Sequence, residues 1–381
     1  MAIATIDPTT GTTIREFDSL TEDEVDAALD RAARCFTDYR KTTFEQRAGW
    51  LRATADLLEA EADTVAAMMT QEMGKTLAAA KAETLKCARA FRHYAEHGAA
   101  MLADEPADAD AVGASKAYMR YQPLGVVLAV MPWNFPLWQA VRFIAPALMA
   151  GNVGVLKHAS NVPQSALYIS DVLRRAGFPD GCFQTLLIGS SMVEAIVRDP
   201  RVVAATLTGS EPAGRAVAAV AGDEVKHTVL ELGGSDPFIV MPSADIAAAA
   251  KTAVTARVQN NGQSCIAAKR FIVHTDVYDE FTAAFVDGFR ELVVGDPTDE
   301  ATDVGPLATE QGRDDLEKLV DGAVADGATV LIGGHRIDRP GWFYEPTVIA
   351  DITPDMELYS AEAFGPVAAL YRVCLLYTSD A

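Results

Sequence analysis

The sequence predicts an α/β protein built from two doubly wound, Rossmann-like domains, and three observations carry that prediction. From Pro123 onward, short runs of buried-type residues alternate with helical stretches, the pattern of a parallel sheet with crossover helices. The alternation runs to Glu231 and restarts after Pro237, so two such units are expected, with their boundary near Leu232 to Asp236. Half of the 381 residues are hydrophobic, which is enough chain and enough apolar surface for two domains with a large core.

The elements follow in order. Thr21 and Glu24 form a capping box, after which Val25, Ala28, Leu29, Ala32, Ala33 and Phe36 recur at helical spacing. Further helices are expected over about 44–73, ending near Gly74, and over 76–103; all three read as cladding. An acidic loop at 104–110 leads to 117–121, whose alternation suggests an exposed strand or hairpin arm. Strands are expected at 125–130, 153–156, 183–188, 203–207 and 226–231, the last as part of an apolar run that includes Val225. Helices follow the turn at 132–136 and occupy 163–176 and 211–221. The second unit reads as strand 238–241, helix 245–260, strand 270–273, helices 276–292 and 313–326, and strand 329–332.

Charge and composition exclude several classes of function. The net charge is −21, from 53 acidic against 32 basic residues, which argues against nucleic-acid or anionic-membrane partners. That acidity fits either a salt-adapted protein, its self-repulsion screened by concentrated salt, or an ordinary acidic enzyme. No apolar run approaches the roughly 20 residues of a membrane span, and the first residues lack the pattern of a signal peptide. The five cysteines show neither CxxC spacing nor a disulfide framework, so a reduced, cytoplasmic protein without a metal site is expected.

The chemistry centres on 228–265. Glu231 ends a strand and is followed by Gly233-Gly234, which places its side chain at the rim of a sheet. Cys265 follows Asn260-Asn261-Gly262-Gln263-Ser264, with no basic residue beside it before Lys269. A soft nucleophile and a separate carboxylate base suit cysteine attack followed by attack of water, although a structural cysteine and a surface glutamate would also account for the pair alone. Four other patterns accompany them. Thr208-Gly209-Ser210 lies at a strand-to-helix turn suited either to a phosphate or to simple capping. Lys157 ends a strand on the same rim, where it would hold ribose or phosphate or merely be solvated. Asn134 sits between two prolines that stiffen its loop, as an oxyanion donor or a turn residue. Glu362 stands two residues before Phe364, a carboxylate for ribose hydroxyls beside a ring for a flat base.

Together, PWNFP, the Lys157 strand end, TGS, ELGG, GQSC and EAFGP occur in one order that resembles the aldehyde dehydrogenase superfamily over roughly 6–373. Within it, LKHASNVPQSA, LELGGSDPFIV and QNNGQSCIAAKRF look most similar to succinate-semialdehyde dehydrogenases. The resemblance implies an aldehyde-dehydrogenase-like fold: a cofactor-binding domain at 1–103 and 123–231, an oligomerisation arm at 104–122 and a catalytic domain at 232–373. It implies that Cys265 attacks the aldehyde, that Asn134 and the Cys265 amide hold the oxyanion, and that Glu231 activates water. Trp133, Lys157, Gly209, Ser210, Glu362 and Phe364 match cofactor positions, and Arg142 matches a residue for the substrate's far carboxylate. A homodimer or homotetramer that uses NADP or NAD is expected.

Departures from the family pattern are informative. Ser160 stands where members that prefer NAD often carry a glutamate, so NADP is expected to be accepted at least comparably. Ala267 replaces a second cysteine found in some members, and Gln259 replaces an arginine that some use for the substrate carboxylate. From Cys374 to Ala381 the sequence leaves the family pattern, which continues for several tens of residues, so a non-native tail on a truncated chain is expected, with an inactive relative as the alternative. A cysteine hydrolase that works without nucleotide is the other alternative.

Overall fold

The computed structural model describes residues 2–374; the tail expected beyond that point lies outside the described residues. The chain opens with a hairpin, β1 (Ile3–Asp7) and β2 (Thr12–Phe17), followed by the helices α1 (Glu22–Tyr39), α2 (Phe44–Ala60), α3 (Ala62–Met73) and α4 (Leu77–Met101). The capping box of Thr21 and Glu24 is present in full, and Thr43 with Gln46 forms a second one at the start of α2. The single helix expected over 44–73 is two. It breaks at Glu61, whose carboxylate takes hydrogen bonds from Tyr168 Oη and Arg175 Nη2, each at 2.9 Å. The expected acidic loop is partly a strand: β3 (Glu105–Ala107) pairs antiparallel with β4 (Ala117–Met119).

Two compact units emerge, one comprising 1–5, 15–68 and 81–232, the other 6–14, 69–80 and 233–381. The first holds β5 (Val126–Met131), α5 (Trp138–Met149), β6 (Val153–His158), α6 (Pro163–Arg175), β7 (Phe183–Thr185), α7 (Val193–Arg198), β8 (Val202–Thr208), α8 (Glu211–Asp223) and β9 (His227–Glu231). Its five strands are all parallel in the order β7-β6-β5-β8-β9. β5 and β6 are almost wholly buried, as expected of strands covered on both faces. The chain winds outward from β5 to β7 and then returns to β8, so the strand order reverses between β5 and β8. A crevice for ligands forms at such a reversal, outside the carboxyl ends of the strands. Two expectations need correction here. The strand at 183–188 stops at Thr185, and Val225 is no strand residue: it is 93% exposed, with φ of 54° in the turn that reverses the chain into β9.

The second unit holds β10 (Asp236–Val240), α9 (Ile246–Val258), β11 (Ala268–His274), α10 (Tyr278–Arg290), α11 (Glu310–Ala325), β12 (Thr329–Ile332), β13 (Thr347–Ala350), α12 (Glu357–Ser360) and β14 (Val367–Val373). The sheet order is β10-β11-β14-β13-β12, parallel except for the antiparallel edge strand β12. Alternate residues of β13 and β14 feed opposite cores. Val348, Ala350, Ala368 and Leu370 pack with Phe271, Phe281, Phe285 and Phe289, whereas Ile349, Val367 and Ala369 pack with Leu316 and Val320 of α11. β11 and β14 are direct parallel neighbours, with Arg270 opposite Ala369. The loops that enter them, one carrying Cys265 and the other Glu362, are therefore brought side by side at the amino ends of the strands.

Candidate active site

In the first unit the sequence-selected residues converge on the carboxyl rim of one sheet. Trp133 and Asn134 follow β5, Lys157 lies near the end of β6 with Ser160 just beyond, Gly209 and Ser210 follow β8, and Glu231 ends β9. The loop carrying Asn134 is held from three directions. Glu83, buried in α4, accepts from the backbone N–H groups of Leu137 and Trp138 at 2.9 Å each, so a carboxylate caps α5 where its dipole favours negative charge. His158 Nε2 meets Pro136 O at 2.8 Å, while its Nδ1 accepts from Ala159 N at 2.9 Å, which assigns the ring proton to Nε2. Gln139 Nε2 donates to Asn134 Oδ1 at 3.4 Å, so the amide presents Nδ2 as its donor end.

His158 therefore lends no positive charge to the rim, contrary to the sequence-based expectation. Burial lowers its pKa to about 4, outweighing the pull of the Pro136 carbonyl, and nearby Lys157 lowers it further. Lys157 itself is partly buried, its pKa lowered by desolvation, and has no ion-pair partner among the described residues. Ser210 occupies the N-cap position of α8, yet its hydroxyl makes no capping hydrogen bond. Gly209 N donates to Glu231 O at 3.0 Å, tying the turn after β8 to the end of β9.

Glu231 is exposed and meets Arg142, whose Nη2 lies 3.5 Å from the carboxylate and donates to Thr208 Oγ1 at 2.9 Å. Met131, Phe143, Thr208 and Val229 line the surrounding groove of about 600 Å³ together with that pair.

In the second unit the residues before Cys265 adopt a rare backbone. Asn260, Asn261 and Gly262 have φ of 55°, 57° and 72°, a left-handed run that asparagine and glycine tolerate best. Asn260 Nδ2 donates to Gln263 O at 3.0 Å. Asn261 Nδ2 donates to Gly74 O at 2.8 Å and Pro306 O at 2.9 Å, while its Oδ1 accepts from Gly305 N at 3.0 Å. A Cβ on Gly262 would strike the Gly365 carbonyl, so the close approach of the two loops requires glycine there.

Two buried cations cross-link these loops. Arg257 donates to Gly262 O at 2.6 Å, Ala268 O at 2.9 Å and the carbonyls of Ala363 and Gly365; burial lowers its pKa. Lys269 donates to the carbonyls of Ser264 and Cys265, each at 2.9 Å, and pairs with Glu362 at 2.9 Å. Cys265 is half-buried and carries a free thiol, and Phe364 is half-buried beside Glu362. Sequence reasoning assigned no role to Glu83, Gln139, Arg257 or Lys269. The only local signal was that Lys269 is the first cation after Cys265.

These loops and strand ends match a known pattern. A model of the aldehyde dehydrogenase family matches residues 1–375. The chain belongs to the aldehyde dehydrogenase family. It is an oxidoreductase of the NAD(P)-dependent, aldehyde-oxidising type, and the hydrolase alternative falls away. The chain is 72% identical over 372 residues to a Mycobacterium tuberculosis protein named succinate-semialdehyde dehydrogenase [NADP(+)] 1, covering 98% of this chain and 81% of that one. The Mycobacterium avium succinate-semialdehyde dehydrogenase [NADP(+)] is also 72% identical, over 98% of this chain and 79% of its own. Among solved structures, succinic semialdehyde dehydrogenase from Streptococcus pyogenes in complex with NADP+ superposes with a TM-score of 0.95 at 38% identity, covering 98% of this chain and 82% of that one. No helix among the described residues is long and apolar enough to cross a membrane.

Neutral burial of His158 has a consequence for stability. Its pKa rises from about 4 in the folded state to the ordinary 6.5 on unfolding, so the unfolded chain binds the extra proton between those values. Stability from this group is complete above pH 6.5 and falls progressively as pH drops towards 4. At about 1.4 kcal/mol per pH unit the loss is ~3 kcal/mol. Urea unfolding of the parent and of His158→Gln at several pH values will show their stability difference narrowing as pH falls from 7 to 4.5. A constant difference would show that the imidazole does not stay neutral.

Proposed function

We propose that this chain oxidises succinate semialdehyde to succinate and uses NADP+, with NAD+ as a second acceptor. The observation that carries this reading is the identity, over nearly the whole chain, to enzymes named for that substrate and cofactor. The chain's own residues fit such a cofactor. The amino end of α8 and the uncapping hydroxyl of Ser210 suit a phosphate, and the desolvated Lys157 suits a further anionic or hydroxyl group. Ser160, at the position where a carboxylate would repel a 2′-phosphate, imposes no such penalty. Trp133, Gly209, Glu362 and Phe364 complete the cofactor residues in this reading.

When bound, the nicotinamide supplies a hydride acceptor. Cys265 Sγ, as the thiolate, forms a bond to the aldehyde carbon, and the resulting oxyanion is held by Asn134 Nδ2 and the Cys265 N–H. Collapse of that oxyanion re-forms the carbonyl as hydride leaves, giving a thioester on Cys265. Glu231 then takes a proton from water as the water attacks; the C–S bond breaks, releasing the acid and returning the thiolate. Arg142, which faces Glu231 in the resting structure, receives the far carboxylate of the substrate. In the same reading, residues 1–103 and 123–231 bind cofactor and residues 232–373 carry the nucleophile. The hairpin at 104–122, with Val112, Tyr118, Met119 and Tyr121 exposed, serves self-association into a cytoplasmic homodimer or homotetramer.

Three experiments test these roles. Cys265→Ala abolishes dehydrogenation, whereas Glu231→Gln keeps one turnover of hydride transfer and slows the steady state by roughly 10²–10⁴-fold. Stopped-flow reading of reduced cofactor distinguishes the two, and an undiminished steady state in Glu231→Gln would remove Glu231 from the mechanism.

Arg142→Ala raises KM for succinate semialdehyde by about one to two decades, the worth of a charge-assisted bond of roughly 1.5–3 kcal/mol, and leaves butanal nearly unchanged. Equal losses on both aldehydes would make Arg142 structural.

For the cofactor, Ser160→Glu brings a carboxylate towards the 2′-phosphate. Two like charges about 4 Å apart cost on the order of 4 kcal/mol at an effective dielectric near 20 and about 1 in water. The ratio of kcat/KM for NADP+ to that for NAD+ is expected to fall at least tenfold. An unchanged ratio would mean that residue 160 does not face the ribose.

A further inference from the structure

Lys269 is the second residue of β11, and its side chain is 2% exposed. Its ammonium is wholly committed inside the protein: to Ser264 O and Cys265 O at 2.9 Å each, to Ala267 O at 3.4 Å, and to the Glu362 carboxylate at 2.9 Å. Glu362 is confined from the other side by Gly233, where any Cβ would collide with Oε2. A lysine buried this deeply survives only if paired and hydrogen-bonded, and here each partner belongs to one of two loops, that of the nucleophile or that of Glu362.

The peptide plane between Ser264 and Cys265 gives these contacts a direction. In a trans peptide the carbonyl oxygen and the next N–H point to opposite sides of one rigid plane. Drawing Ser264 O towards Lys269 therefore aims the Cys265 N–H away from Lys269. A charged donor on that oxygen also polarises the amide, making its N–H a stronger donor.

We propose that Lys269 is a positioning residue for aldehyde oxidation: it aims and polarises the Cys265 amide through Ser264 O, and with the same ammonium it holds the Glu362 carboxylate in place. The assignment rests on the reading of Cys265 as nucleophile and of Glu362 as a cofactor residue. It extends that reading to a residue which touches neither substrate nor cofactor.

The test uses Lys269→Met, Glu362→Gln and the double variant, with rates normalised to the Cys265 thiol titrated in each preparation so that misfolded protein does not count. Removing lysine alone leaves a carboxylate without its partner, so the decisive comparison is made in the Glu362→Gln background, where no orphan charge remains. Losing an oxyanion donor outright costs about 10²–10³-fold in rate. Misaiming it is therefore expected to slow single-turnover hydride formation at least tenfold in Lys269→Met/Glu362→Gln relative to Glu362→Gln.

For the other arm, Lys269→Met weakens NADP+ binding several-fold when Glu362 is present and not at all when Glu362 is already glutamine, as read by titration of protein fluorescence. Equal single-turnover rates in Glu362→Gln and the double variant would overturn the amide arm. A binding loss that persists without Glu362 would overturn the carboxylate arm. Retained dehydrogenation in Cys265→Ala would instead overturn the functional reading beneath both.

Discussion

The catalytic unit depends on two buried cations doing the work that backbone pairing does elsewhere. A left-handed run at Asn260–Gly262 cannot form a ladder or a helix, so its carbonyls and those around it must find other donors. Arg257 and Lys269 supply them, with acceptors at Gly262, Ser264, Cys265, Ala268 and Gly365. Arg257 does so without any carboxylate in ion-pair reach among the described residues, its charge spread over carbonyl dipoles alone. Desolvating a guanidinium costs several kcal/mol, and only a set of acceptors fixed in advance offsets it. The loop and the cations are therefore interdependent: neither is tenable without the other.

That interdependence explains which parts were legible in the sequence. Strands β5, β6, β8 and β11 announce themselves as short apolar runs, because each is covered on both faces and periodicity is all that a buried strand requires. Cys265 and Glu231 were visible because the chemistry demands those residue types beside small neighbours. The scaffold beneath them was not. Asn261 reaches Gly74 and Pro306 across 187 and 45 residues, and Glu83 caps a helix 54 residues away. Nothing near either residue in sequence marks such a partner. The break at Glu61, the strand β3 and the turn at Val225 were misread for a similar reason, since local propensity favours continuing each pattern and long-range pairing or a reversal of the chain ends it.

The nucleotide-type unit meets the same demand by a different route. Its loop after β5 is pinned by neutral and anionic groups: the His158 imidazole on Pro136, the Glu83 carboxylate on two amides, and the Gln139 amide on Asn134. A cationic clamp there would compete with Lys157 for any anion on the rim. Keeping His158 uncharged leaves Lys157 as the cation of β6 at that edge, and its own lowered pKa shows that no neighbouring carboxylate already compensates it.

Arg142 and Glu231 show why a site of this kind must not be over-stabilised. Their separation of 3.5 Å and the 56% exposure of the Glu231 side chain put the pair among ion pairs worth ~0–1 kcal/mol. Thr208, at 2.9 Å, holds the guanidinium more firmly than the glutamate does. A tighter, buried pair would keep Glu231 ionised but immobile, and would leave Arg142 too well satisfied to accept another carboxylate. The weak pair lets the arginine exchange one carboxylate for another at little cost, while Thr208 keeps it in place. Rigidity is thus concentrated where the nucleophile must be aimed, and the compliant contact lies at the base that has to act on a water molecule.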